Sequence, residues 1–241
     1  MTDEYVQHFN ESQAGESPVL RALLPDDPVV YVDVGTGDYL DWNVTWPFYE
    51  AGGHGLLVEP RTEMVAEYLA HRPRDMVCCA GVSDKRGWRS FRLAGSASSL
   101  REDWQISHIE TGSQLIHCEP LRDILARYPD IRDGCQLCSI DVEGWERHAL
   151  LGIDWDRFRP DVMIIEYIFY DPHAVGPDIS GDWASIVTAR DRYRECCRSH
   201  LNIIYLRSDL WGRWEAVRDN VPMPHQTLEE TRKHIQGRYC T

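Results

Sequence analysis

The chain has 241 residues, 43% hydrophobic and 27% charged, a length that supports one sizeable core and is short for two full domains. Asp and Glu outnumber Lys and Arg by 39 to 25, and the resulting net charge of −14 repels phosphate backbones and anionic lipid. Nucleic acid and membrane surfaces are therefore not expected partners, and the 17 Gly and 13 Pro are too few for a collagen-like or low-complexity chain.

Residues 1–15 show neither the basic nor the apolar region of a secretory signal, and no apolar run approaches the ~20 residues of a membrane span. Cysteines at 78, 79, 118, 135, 138, 196, 197 and 240 include two adjacent pairs, unlike a secreted disulfide framework. They read as reduced thiols of a cytoplasmic protein. Cys135 and Cys138 have CxxC spacing, but no second CxxC or His pair completes a zinc site, so buried core thiols are expected and no metal site is assigned.

Residues 1–27 read as a leader, with Ser17 and Pro18 opening a short helix over 19–24. Pro28-Val-Val-Tyr-Val-Asp-Val34 is a β-branched run ending at Gly35-Thr-Gly37, the pattern of a buried strand entering a tight turn. A second strand, 55–59, precedes a helix whose apolar face carries Met64, Tyr68 and Leu69. A third strand spans 76–80. The segment 81–118 then breaks the alternation, and Trp88-Arg-Ser-Phe-Arg-Leu93 between Gly87 and Gly95 marks a hairpin or inserted arm. A helix at 121–128, a strand at 136–141, a helix at 145–151 and a strand at 162–167 follow. The pattern then predicts a helix over 183–198, a strand over 201–206 and a possible strand over 211–217. Alternating strands and helices imply a Rossmann-like, mainly parallel sheet covered on both faces across a domain at 28–220, with a polar tail at 221–241.

In such sheets ligands lie beyond the carboxyl ends of the strands. The first strand ends Asp33-Val-Gly35-Thr-Gly37, whose glycines allow close backbone approach to a ligand. The third glycine of a dinucleotide fingerprint is replaced by Leu40, which disfavours a pyrophosphate and favours a nucleoside without one. Glu59, 24 residues after Gly35, can accept both hydroxyls of a ribose or can be a solvated strand-end acid. Ser83 and Asp84 can meet an adenine edge or form a turn. Asp141, Glu143 and Glu146 crowd one strand-to-helix junction. Glu143 and Glu146 can complement the helix dipole, whereas Asp141 closes an apolar strand and would point into a cleft. Glu166 lies within the next strand.

The strings Val32-Asp33-Val34-Gly35 with Gly37, Val58-Glu59-Pro60, Val82-Ser83-Asp84-Lys85, Ile140-Asp141-Val142-Glu143-Gly144 with Glu146, and Ile164-Ile165-Glu166 occur in order. From Val29 to Tyr167 the chain resembles the FkbM family of S-adenosylmethionine-dependent methyltransferases. The resemblance implies the class I methyltransferase fold, a seven-stranded and mostly parallel sheet with one reversed strand. It also implies methyl transfer to an oxygen of a sugar or natural product. Carried over, Asp33, Gly35 and Gly37 border the methionine part of S-adenosylmethionine, Glu59 holds its ribose, Ser83 lies near its adenine and Asp141 faces the reaction cleft. Position 139, where the family usually has Lys, is Ser139 here.

A hydroxyl acceptor must lose its proton as it attacks. Asp141, His148 and His173, the last in the loop Tyr170-Asp-Pro-His173, are the candidate bases, with Asp141 and His173 preferred. Trp88, Trp104, Trp183 and Trp211 could stack on a sugar or fill the core. Two other readings stay open: a nicotinamide-dependent oxidoreductase on a similar sheet, and a non-catalytic domain that kept the cofactor fold. The oligomeric state and the acceptor are not fixed by the sequence.

Overall fold

The computed structural model describes residues 14–24, 28–40, 42–103, 110–171, 174–227 and 229–230, with the backbone alone at 168–171 and 174–177. Its centre is a seven-stranded sheet built from β1 (Val30–Val34), β2 (His54–Val58), β3 (Met76–Cys78), β7 (Leu137–Ile140), β8 (Val162–Glu166), β11 (Tyr193–Arg198) and β12 (Asn202–Arg207). The spatial order is β3-β2-β1-β7-β8-β12-β11. Pairings from β3 through β8 are parallel, and β12 runs antiparallel to both of its neighbours. The chain moves outward from β1 to β3 and then returns to place β7 on the other side of β1. The crevice at this reversal lies between β1 and β7, at their carboxyl ends. The expected seven-stranded, mostly parallel sheet with one reversed strand is thus present.

Both sheet faces are covered, which is why the strands read as nearly continuous apolar runs. One face presents Val32, Val34, Val58, Ile140 and Ile165 to α4 (Leu121–Leu125), α5 (Pro129–Gly134), α6 (Glu146–Leu151) and α7 (Ala184–Thr188). The other presents Tyr31, Leu57, Leu137 and Ile164 to α1 (Ser17–Leu23), α2 (Trp46–Glu50), α3 (Thr62–His71) and α8 (Trp211–Val217). Successive residues of one strand feed opposite layers because strand side chains alternate.

Three of the expected elements take a different form. The helix expected over 183–198 stops at Thr188, because Arg190 and Asp191 take positive φ of 58° and 52° and turn the chain into β11. A register shift between Glu195 and Cys197 breaks the period-2 pattern that would have marked this strand. Residues 211–217 form a helix, with Trp214 as its buried contact. On α3 only Tyr68 is buried, and Leu69 is 62% exposed, so the expected apolar face is a single aromatic side chain.

The segment from 81 to 118 forms a separate three-stranded sheet in which β6 (Gly112–Glu119) lies between β4 (Gly81–Val82) and β5 (Gly87–Leu93). β9 (Ile168–Asp171) and β10 (Ala174–Asp178) pair in a hairpin after β8. The CxxC thiols are free and buried, as expected for core cysteines; Cys240 lies outside the described residues. No helix among the described residues is long and apolar enough to cross a membrane.

Where β1 leaves the sheet, Gly35 has φ +78°, and a Cβ built on it would sit 1.7 Å from the Asp141 carbonyl oxygen. Gly35→Ala therefore combines left-handed backbone strain with a collision that no rotamer relieves. It is expected to lower unfolding free energy by about 2–4 kcal/mol, measured by urea denaturation.

Candidate active site

The carboxyl ends of β1, β2, β7 and β8 are neighbours in the sheet, so the residues just beyond them converge. The Gly35 N–H donates to the Val58 carbonyl at 2.9 Å, and the Asp141 N–H donates to the Val34 carbonyl at 2.9 Å. These bonds extend the strand register into the turns. Gly37 also has positive φ, +61°, but no atom lies within 4 Å of where its Cβ would be. The turn is closed against Asp141 at Gly35 and open at Gly37.

Glu59 is 1% exposed. One carboxylate oxygen accepts the Gly37 N–H at 3.2 Å. Arg61 fills the remaining positions through its backbone N–H at 3.0 Å, Nε at 2.8 Å and Nη2 at 3.2 Å. Arg61 Nη1 donates in turn to the Gly95 carbonyl at 2.8 Å, tying the turn at 95–99 to the end of β2. Sequence reasoning missed Arg61; its position two residues after Glu59 gave no sign that it would fold back.

Beyond β7 and β8, Asp141, Glu143 and Glu166 each place a carboxylate oxygen within 4.8 Å of the others, close enough to share a divalent cation. Glu143 holds a left-handed backbone conformation, φ 54°. Glu146, fully buried, accepts the Val142 and Gly144 N–H groups at 3.1 and 3.2 Å, so it shapes the acidic turn as well as starting α6. Glu143, Glu146 and Glu166 each keep one buried carboxylate oxygen with no hydrogen-bond partner. Desolvation raises all four acids, Asp141 to about 6 and Glu146 to about 7. Glu143 and Glu166 are raised further by burial and by neighbouring carboxylates. Glu166 hydrogen-bonds Asp141 and holds it lower than burial alone would.

The other expected site residues have different surroundings. Asp33 faces the α3 side, accepts the Thr45 hydroxyl at 2.8 Å, and is pushed up to about 6 by burial. Ser83 is fully buried; its hydroxyl donates to Asp84 at 3.1 Å and receives the Trp145 indole N–H at 3.4 Å. His148 stacks on Trp145 at 3.9 Å, and its Nδ1 lies 3.2 Å from Asp84. His148 thus belongs with Asp84 and Trp145, apart from the carboxylate group. His173 lies outside the described residues. Ser139 is the register partner of Asp33 on the neighbouring strand, so a side chain at this position sits beside Asp33.

The raised acids have a definite pH signature. Unfolded, these carboxyls titrate near pH 4; folded, Asp33 and Asp141 titrate near 6 and Glu146 near 7. The native state then binds more protons than the unfolded chain across this window, so the associated stability is complete below pH ~4 and is lost as pH rises through 6–7. The melting temperature is expected to fall between pH 5 and pH 8. Glu166→Gln keeps a donor toward Asp141 and takes this raised group out of the titration. It should raise the melting temperature at pH 8 by the equivalent of about 1–3 kcal/mol and change it little at pH 5. Thermal melts across this range decide the matter, and a wild-type melting temperature that climbs with pH contradicts the assignment.

The Methyltransferase FkbM domain family matches residues 33–192. A solved structure, the methyltransferase FkbM from Methylobacillus flagellatus KT, is 16% identical with a TM-score of 0.45, and the match covers 84% of this chain and 50% of that one. The chain therefore spans half the length of that relative. No curated protein matches. The family match runs from the carboxyl end of β1 through α7 and includes every strand end that converges on the site; the chain belongs to the FkbM methyltransferase family.

Proposed function

We propose that the protein transfers a methyl group from S-adenosylmethionine to a hydroxyl oxygen of a sugar or natural product. The observation that carries this reading is the meeting of the open Gly37 turn, the buried Glu59 carboxylate and the acidic group around Asp141 at one switch point. A ribose fits at Glu59, where an acid is already held beside a backbone turn with free space. Receiving two hydroxyls there exchanges the Arg61 guanidinium, which can follow its bond to Gly95. Gly35 and Gly37 would border the amino-acid part of the cofactor, with Ser83 on the adenine side.

The cofactor supplies a methyl group on a positively charged sulfur. Carboxylate oxygens of Glu143 and Glu166 that lack partners favour that charge over the neutral product, since attraction strengthens where water is scarce. Asp141, raised to about 6, is suited to take a proton from an acceptor hydroxyl near neutral pH. His173 is the second candidate base. The chain's remaining task is alignment of the acceptor oxygen with the carbon–sulfur bond. The segment 81–118 is proposed to contribute acceptor contacts. Its turn at 95–99 also meets the cofactor side, because the Ser99 hydroxyl donates to the Glu143 carbonyl at 2.6 Å. A small-molecule partner, rather than nucleic acid or membrane, agrees with the net charge of −14.

Calorimetric titration with S-adenosylhomocysteine and with NAD tests the reading. Binding of the former alone is expected. Binding of NAD alone would favour the oxidoreductase reading, binding of neither would overturn the cofactor reading, and S-adenosylhomocysteine binding without turnover on any acceptor would point to a non-catalytic domain. Glu59→Ala should weaken S-adenosylmethionine and S-adenosylhomocysteine together by about 1–3 kcal/mol, with little change in turnover at saturation. Asp141→Asn should lower turnover by about 10²-fold or more with a smaller loss of affinity, measured with an acceptor found by screening sugars and natural products. Full turnover in Asp141→Asn would transfer the base assignment to His173.

A further inference from the structure

We infer that Asn43 is a positioning residue: its side-chain amide, turned by the buried Arg72, works with Tyr68 to hold the Gly35–Asp38 turn in the form that receives the cofactor. The assignment of a ligand to this turn rests on the proposed function; the clamp itself rests on hydrogen bonds.

Asn43 Oδ1 accepts from Arg72 Nη1 at 3.0 Å and from the Thr45 N–H at 3.1 Å. Neither group can accept a hydrogen bond, so a flipped amide would set N–H against N–H. Arg72 is itself fully buried and fixed, with Nε 2.7 Å from Asp75 and Nη2 donating to the Tyr31 hydroxyl at 2.9 Å. The amide orientation therefore follows from the guanidinium. Nδ2 is directed at three oxygens: the Thr36 carbonyl at 3.1 Å, the Asp38 carbonyl at 3.1 Å and the Tyr68 hydroxyl at 2.9 Å. The Tyr68 hydroxyl lies 2.8 Å from the Thr36 carbonyl and 2.9 Å from the Asp38 carbonyl. Two amide protons and one hydroxyl proton thus serve three oxygens, which closes the network.

The consequence reaches the site through peptide planarity. The Thr36 carbonyl and the Gly37 N–H belong to one trans peptide and point in opposite directions. Drawing the carbonyl inward turns the N–H outward, where it donates to Glu59 at 3.2 Å. The clamp thereby fixes a backbone donor, and with it the Glu59 carboxylate, before any ligand arrives. Such preorganisation improves affinity by removing an ordering cost.

Asn43→Asp tests the inference with little disturbance of shape. One oxygen still serves Arg72 and Thr45, and the new charge faces a guanidinium. The other oxygen replaces the amide donor and opposes the two carbonyls. The expected results are a melting temperature lowered by no more than a few degrees, amide hydrogen exchange at 36–40 faster by about tenfold or more, and S-adenosylhomocysteine affinity weaker by about tenfold or more. Tyr68→Phe removes the hydroxyl and should shift both readings in the same direction; it decides the question if Asn43→Asp fails to fold. A purely structural role would lower the melting temperature without separating it from turn exchange. Folded variants with exchange and affinity within twofold of wild type would overturn the clamp. Failure of the wild-type protein to bind S-adenosylhomocysteine would overturn the cofactor reading instead, while the exchange measurement would still decide the clamp.

Discussion

Two backbone turns meet at the centre of the sheet with no space for a side chain between them. The Asp141 carbonyl occupies the place where Gly35 would carry its Cβ, and strand-like hydrogen bonds on each side prevent the turns from separating. The site geometry follows from this contact. It sets the glycine turn against the acidic turn, brings Glu59 beside Gly37 through the β1–β2 register, and leaves the Gly37 side open. The crevice at the reversal of strand order would exist in any such sheet. Its chemistry depends on how closely these two turns approach.

On either side of this contact the protein buries charge in opposite ways. Behind the glycine turn, the Arg72 guanidinium bonds to Asp75, Asn43, Tyr31 and Thr45 and lies near the rings of Tyr49 and Tyr68. Such a satisfied network costs little beyond its desolvation and fixes one arrangement of the surrounding groups. In front, Asp141, Glu143, Glu146 and Glu166 gather with three buried carboxylate oxygens unmatched. That arrangement opposes stability at neutral pH and favours a positively charged ligand. A rigid, neutralised support behind a strained acidic face is the distribution expected where folding stability is given up for binding.

The arm is joined to the site at two points. Arg61 reaches Gly95 from the β2 end, and Ser99 reaches the Glu143 carbonyl from the arm. Phe91, Ile116 and Cys118 form a small core, and Trp145, next to the acidic turn, packs against it. Leu115 and Trp88 remain 70% and 69% exposed on the same sheet. The arm is therefore a second layer with its own core whose inner turn is held against the acidic turn.

The order of strands and helices was legible because buried parallel strands must be apolar on both faces, and because glycines and acids at their ends stand out against that background. Val30–Val34 with Gly35 and Gly37, Glu59 after β2, and Asp141 after β7 were found for that reason. The strand at Tyr193–Arg198 was not, because its irregular register destroys the alternation that identifies a strand. The 211–217 helix was missed because its aromatic residues also suit a sheet. Neither Arg72 nor Asn43 carried a local signal, since a basic residue near a helix end and a loop amide are ordinarily solvated. Strand-end chemistry and its order along the chain are local in character and so can be read from the residues alone. Tertiary structure alone decided which polar groups lose water, which partners they meet there and which remain unmatched, because burial and hydrogen-bond geometry arise only when segments distant in sequence pack together.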